Sequence, residues 1–155
     1  MAEITLRMGS AADYDTLGEV MFDAIHNGPT QYTEAQSRAW APVPRSGQAW
    51  ADRLARKDVI LAEQGNSVAG FMTLEPGGYI DFAYIRPSAQ GSGLFRRLFA
   101  EVIKRAEMSG ETELSTHASL MAQPAFAAMG FSVDVHETVE VDGQKLARAR
   151  MIKTL

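Results

Sequence analysis

The chain contains no cysteine. That absence excludes disulfide frameworks, thiolate nucleophiles and cysteine metal sites. An excess of positive charge is also lacking, since 15 Lys and Arg stand against 19 Asp and Glu for a formal net charge of −4. No basic field therefore favours nucleic acid or an anionic membrane, and a cationic acceptor such as an amine meets a mildly complementary protein. No apolar run approaches a membrane span. Met1 to Arg7 enters a strand pattern without an apolar signal segment, so a cytoplasmic protein is expected. Histidine is scarce, and His26, His117 and His136 lack close ligand spacing, so no metal site is expected. Repeats, linkers and low-complexity tracts are missing. The 155 residues suit one domain, 1–155, around a single core.

What the chain does have is concentrated between Tyr79 and Ala106. The pattern predicts a strand over Tyr79 to Ile85, a loop carrying Pro87, a glycine pair at Gly91 and Gly93, and then a helix. In that helix Leu94, Phe95, Leu98, Phe99, Val102, Ile103 and Ala106 form one apolar face at the helical period. A glycine-rich first turn presents unpaired N–H groups at the positive end of the helix dipole, which makes an anion site. Gly91 and Gly93 carry no Cβ, so a phosphate can approach the backbone closely. A nucleoside-triphosphate loop would need a lysine after the second glycine, and a dinucleotide fingerprint a third glycine; neither is present.

Gln90-Gly91-Ser92-Gly93-Leu94, preceded by Ile85-Arg86-Pro87, resembles the acetyl-CoA-binding motif of the GNAT N-acetyltransferase superfamily, Gln/Arg-x-x-Gly-x-Gly/Ala after a Val/Ile-x-Pro strand exit. Phe95 departs from the motif, where Gly or Ala is usual. A second block, Ser115 to Phe131, is similar to the superfamily's second cofactor segment, in which a strand leads to an Asn or Ser and a short helix closes in Gly-Phe. Ser119 stands at the Asn/Ser position, and Phe126 where many members carry Tyr. The resemblance covers essentially the whole chain. It implies an α/β (α+β) fold with a mixed, mostly antiparallel central sheet of six to seven strands flanked by helices. It also implies acetyl-CoA as co-substrate and transfer of acetyl to a primary amine of a small molecule or protein. The rival reading is a non-catalytic acyl-CoA-binding or sensing module.

The remaining patterns agree with that order. Ile4 to Met8 alternates as a strand, and Ser10 or Asp13 can cap a helix carrying Leu17, Val20, Met21 and Ala24 that Asn27-Gly-Pro ends. Thr33 caps a short helix through Trp40, and Ser46 to Arg56 is a third helical stretch. Val59–Gln64 and Ser67–Leu74 flank Gly65-Asn66 as a hairpin. Glu113 to Thr116 is a strand, and a short helix containing Pro124 ends at Gly130. Phe131 to Val141 and Lys145 to Lys153 form a last hairpin around Asp142-Gly143, a dipeptide suited to a type I′ turn. That Val-rich hairpin offers an exposed edge, and a homodimer is expected.

The implied chemistry is direct attack of an amine on the thioester. An alkyl ammonium of pKa ~10.4 is almost wholly protonated at neutral pH, so a base is useful. Asp81 is the candidate, with a structural Asp as the other reading. Tyr84 either orients substrate or packs in the core. The thioester oxygen is expected to meet an inward backbone N–H near Ile85, and Ala83, Ile85, Gln90, Gly91, Ser92, Gly93, Leu94, Phe95 and Arg96 form the expected cofactor segment. His117 is read as a pantetheine contact or a satisfied loop histidine, and Ser119 as a cofactor contact or a helix N-cap. Phe126 completes the cofactor set. Acceptor-binding candidates are His26, Tyr32 and Trp40, while Trp50 is read as core.

Overall fold

A computed structural model describes residues 3–155. Eight strands and five helices follow one another in the predicted order: β1 (Ile4–Met8), α1 (Tyr14–Asn27), α2 (Glu34–Trp40), α3 (Gly47–Ala55), β2 (Asp58–Gln64), β3 (Ser67–Leu74), β4 (Tyr79–Ile80), β5 (Ala83–Ile85), α4 (Leu94–Met108), β6 (Glu113–Ser119), α5 (Gln123–Ala128), β7 (Ser132–Val141) and β8 (Gln144–Thr154).

The expected mixed, mostly antiparallel α+β architecture is present, its strands arranged as two four-stranded sheets, ordered β1-β2-β3-β5 and β4-β6-β8-β7. The physical reason lies in the segment expected as one strand from Tyr79 to Ile85. Its first part pairs in parallel with β6 (Tyr79 with Ser115, Ile80 with Thr116), and its second part pairs antiparallel with β3 (Met72 with Ala83, Gly70 with Ile85). The segment stays beside β3 throughout, with the Glu75 N–H donating to the Tyr79 carbonyl at 2.9 Å, and it loses β6 after Ile80, so β5 and β6 diverge. Two buried threonines hold the crossover. Thr73 accepts from the Phe82 N–H through Oγ1 at 3.0 Å and donates its own N–H to the Phe82 carbonyl at 2.9 Å. Thr116 Oγ1 donates to the Ile80 carbonyl at 2.8 Å.

Helices cover both faces of the first sheet, so β2 and β3 are apolar on both sides. Val59 and Leu61 meet Leu17, Val20, Met21 and Trp50 on the α1/α3 face, whereas Ile60 and Ala62 meet Leu98 and Val102 of α4 on the other. A bulge between Ala62 and Glu63 shifts the register against β3. It puts Val68 and Phe71, three residues apart, on the same α1 side.

Local signals behave as their chemistry dictates. Thr33 Oγ1 accepts from the Gln36 N–H at 3.1 Å, and Gln36 Oε1 accepts from the Thr33 N–H at 2.7 Å, a reciprocal cap. Asp142 and Gly143, with φ of 46° and 78°, make the β7–β8 turn with both central residues left-handed, as type I′ requires. Strand β6 runs on to Ser119, three residues beyond the expected Thr116, because β8 pairs with it along its whole length. No described helix is long and apolar enough to cross a membrane.

Thr73→Val keeps the shape of this fully buried side chain but leaves the Phe82 N–H without an acceptor. The expected loss of stability is about 1–3 kcal/mol in urea titration. An unchanged midpoint would show that the hydroxyl does not hold the crossover.

Candidate active site

The divergence of β5 from β6 opens a cleft, and two cavities occupy it. The larger, about 690 Å³, runs from the start of α4 past β5 to the loop after β6. Ala83, Ile85, Gln90, Gly91, Gly93, Leu94, Phe95, Arg96 and Ser119 line it, which brings together most of the residues expected from the motif. Gly91 and Gly93 are left-handed (φ 77° and 79°), and a Cβ on either would meet nothing within 4 Å. Gly93 is the N-cap of the 15-residue α4, so the unpaired first-turn N–H groups and the dipole's positive end face an open approach. Arg96 lines this cavity, whereas Arg97 turns away and donates to the Ile4 carbonyl at 3.1 Å.

Backbone alternation supplies a second polar feature. The Arg86 N–H donates to Ala69 at 2.8 Å, and Tyr84 lies opposite Phe71, so residues 84 and 86 direct their N–H groups toward β3. Ala83 and Ile85 therefore direct theirs into the cleft that β6 has vacated. Gln90 Nε2 folds back to donate to the Ile85 carbonyl at 3.2 Å on that same edge.

The smaller cavity, about 240 Å³, is polar and rich in cations. Tyr32, Trp40, Asp81, Tyr84 and His117 line it with four side chains that sequence reasoning missed, Tyr79, Arg45, Arg53 and Arg148. Trp40, Tyr84 and Ser119 belong to both cavities, so the two meet there. Burial pushes the Tyr84 hydroxyl well above its ordinary pKa, which keeps it protonated.

Asp81 lines the smaller cavity in an ion-pair cluster. Arg53 donates to both its carboxylate oxygens at 3.0 Å, and the Lys57 ammonium lies 3.4 Å away. His117 stands with the second cavity rather than with the cofactor-sized one. Its Nδ1 is 2.7 Å from the Tyr79 hydroxyl, and its Nε2 lies 3.7 Å from Glu137. Desolvation, and then the Arg148 charge, lower its pKa from 6.5, so the ring is neutral at neutral pH. Strand alternation places His117 on the same face of β6 as Ser119.

Several expected contacts fall elsewhere. Phe126 is buried in the core, edge-on to Phe95 at 5.2 Å and to Phe131 at 5.1 Å, and lines neither cavity. This packing also accounts for Phe95 at a position where the motif carries a small residue: its ring fills space against Phe126. Ser92 is likewise off the wall, its hydroxyl donating to the Ala89 carbonyl at 2.6 Å. His26 reaches neither cavity, because its Nε2 contacts the Ala41 carbonyl at 2.6 Å and its ring stacks on Phe22 at 4.2 Å. Ser119 lies in the wall, and its Oγ accepts from the Ala122 N–H at 3.3 Å in the turn before α5, whose N-cap is Ala122 rather than Ser119. Trp50 is core and donates to the Tyr14 carbonyl at 2.7 Å. The described residues contain no cluster of metal-ligating side chains.

The missed residues had weak signals. Tyr79 sits two before Asp81 in the motif strand, but only the pairing of β4 with β6 shows that it meets His117. Arg53 carries no local signal because its partner Asp81 is 28 residues away, and Arg148 meets Glu137 through the β7–β8 register.

Comparison with known proteins matches this geometry. The chain is 28% identical over 144 residues to the uncharacterized N-acetyltransferase YafP of Escherichia coli K12, covering 92% of this chain and 91% of that protein. The crystal structure of a GCN5-related N-acetyltransferase from Rhodopseudomonas palustris superposes with a TM-score of 0.89 at 26% identity, over 100% of this chain and 98% of that one. An acetyltransferase from Salmonella typhimurium, solved with its cofactor acetyl-CoA, shares the fold with a TM-score of 0.67 at 19% identity, over 99% of this chain and 94% of that one. The family model described as an acetyltransferase (GNAT) domain matches residues 29–154, and the chain belongs to that family of acyltransferases.

Proposed function

We propose that this protein transfers the acetyl group of acetyl-CoA to the primary amine of a small molecule by direct attack on the thioester. The observation that carries this reading is the junction of the two cavities at Trp40, Tyr84 and Ser119. The larger one is within the ~300–1,000 Å³ range of drug-sized ligands and ends at an anion-binding helix start. The smaller one falls below that range, which suits a compact acceptor better than a folded chain.

Each part of the cleft then has a task. The backbone N–H groups of Gly91 to Leu94 hold the pyrophosphate, and Arg96 adds charge. An N–H of β5 at Ile85 polarises the thioester oxygen; one such donor is worth ~3–4 kcal/mol in the transition state. His117, neutral and bonded to Tyr79, receives the acceptor's proton, directly or through the phenol. Asp81 instead anchors Arg53 in the cavity wall and Lys57 behind it. Tyr84 keeps its proton and donates a hydrogen bond to the departing sulfur.

The donor assignment is tested by melting. Acetyl-CoA at a hundredfold over its dissociation constant should add ~2.7 kcal/mol to folded-state stability. Gly93→Val, which forces a branched side chain into left-handed backbone at the phosphate approach, should abolish the gain while the protein still folds. An unmoved melting temperature in millimolar acetyl-CoA would overturn the assignment and favour neither transfer nor sensing.

The base assignment is tested by rate against pH. His117→Gln should lower kcat by roughly 10²–10⁴-fold and erase an acid limb that lies below pH 6.5 in the wild type. Asp81→Asn should cost stability first, since it leaves Arg53 and Lys57 under-paired, and should keep that limb. The reverse pattern returns the base role to Asp81.

The proposed homodimer is supported by β7, an edge strand that leaves Val133 and Val135 exposed. Sedimentation should show a dimer at high micromolar concentration, and monomer alone would overturn it.

A further inference from the structure

The charges around the smaller cavity do not cancel. Arg53 is matched by Asp81 at 3.0 Å, and Arg148 by Glu137 at 2.6 Å. Lys57, behind the wall, lies between Asp81 and Glu75 at 3.4 and 3.7 Å. Arg45 forms no salt bridge with a carboxylate among the described residues; the Asp81 charge reaches it only from beyond contact, and the Trp50 ring centroid lies 5.8 Å from its guanidinium carbon. It is half-buried, and loss of water together with the nearby Arg53 makes its charge costly, as its lowered pKa reflects. A guanidinium held in a polar cavity beside other cations, with no carboxylate in contact, suits an anionic group.

The position of Arg45 is fixed by backbone. A Cβ on Gly18 would lie 1.9 Å from the Arg45 carbonyl oxygen, so α1 accepts the Arg45 segment only because Gly18 has no side chain. Of the charged groups, Arg45 also acts most strongly on the hydroxyl of Tyr84, at the wall the two cavities share.

The geometry points to an acceptor that carries an oxyanion, a carboxylate or a phosphonate, on the same small molecule as its amine, with the oxyanion paired to Arg45 and the amine at the junction with the larger cavity. This rests on the acetyl-transfer reading above. The guanidinium offers a planar pair of donors, which fits either oxyanion bidentately. A cavity of about 240 Å³ limits the molecule to roughly the size of one amino acid. Simple alkyl amines and diamines lack the group that neutralises Arg45, and a second ammonium would meet like charge.

Calorimetry in the presence of CoA reads binding without turnover. β-Alanine and 2-aminoethylphosphonate are compared with β-alaninamide, which keeps the amine and chain but loses the charge. At least one anionic amine should bind about 10–100-fold more tightly than the amide, the worth of a charged hydrogen-bonded pair. Whichever of the two binds more tightly identifies the oxyanion. Arg45→Met should reduce that preference to near unity, and Arg45→Lys should restore part of it, with melting curves confirming that both variants fold. Equal binding of acid and amide, a preference that survives in Arg45→Met, or no binding of either anionic amine at tens of millimolar overturns the inference. Thiol release from acetyl-CoA is followed separately with the same amines. Arg45-dependent binding without thiol release would leave the oxyanion site standing and count against acetyl transfer.

Discussion

Everything in the cleft depends on one segment serving two sheets. A strand interior has two hydrogen-bonding edges, and both must be satisfied or face water or ligand. Between Ile80 and Ala83 the chain gives up β6 while staying beside β3, and the two threonine hydroxyls cover backbone groups at the point of departure. The N–H groups of β5 that would have met β6 are left aimed into a gap. The site is therefore a consequence of broken pairing, held open by buried polar bonds rather than by a mobile loop.

That origin explains what could be read from residue order and what could not. Glycines at 91 and 93, a proline two residues beyond Ile85 and an apolar helical face are local signals whose meaning does not depend on the rest of the molecule. They located the helix start and the cavity it feeds. The loss of β6 within Tyr79 to Ile85 has no such signal, because alternation looks the same whichever strand lies alongside. Asp81 was accordingly visible as an oddly placed carboxylate, but Arg53, 28 residues upstream on α3, was not visible as its partner. Phe126, expected at the cofactor, lies in the core for a related reason. A motif position specifies a place on the helix, whereas the ring's direction follows from Phe95 and Phe131, which close around it.

The two cavities divide their chemistry by composition. The larger is lined mainly by backbone and small or apolar side chains, and it recognises features that any acyl-CoA shares. The smaller draws on the Tyr79–Tyr84 segment, α1, α2 and the loop between them, and also on pieces of chain away from the helix start: the loop before α3, α3 itself, β6 and the β7–β8 hairpin. Side chains on such pieces can be exchanged without disturbing the helix start or the open edge of β5. Selectivity for the acceptor is thus carried by parts of the fold that contribute little to holding the donor.

The chain has two tryptophans, and they stand in different environments. Trp50 is sealed in the α1/α3 core with its indole N–H bonded to the Tyr14 carbonyl, while Trp40 forms part of the wall between the cavities. Intrinsic fluorescence of this protein therefore has one reporter of the folded core and one of occupancy. Quenching or a spectral shift confined to Trp40 would signal entry of either ligand without any label, and Trp50→Phe would isolate that signal, at the cost of the hydrogen bond to Tyr14.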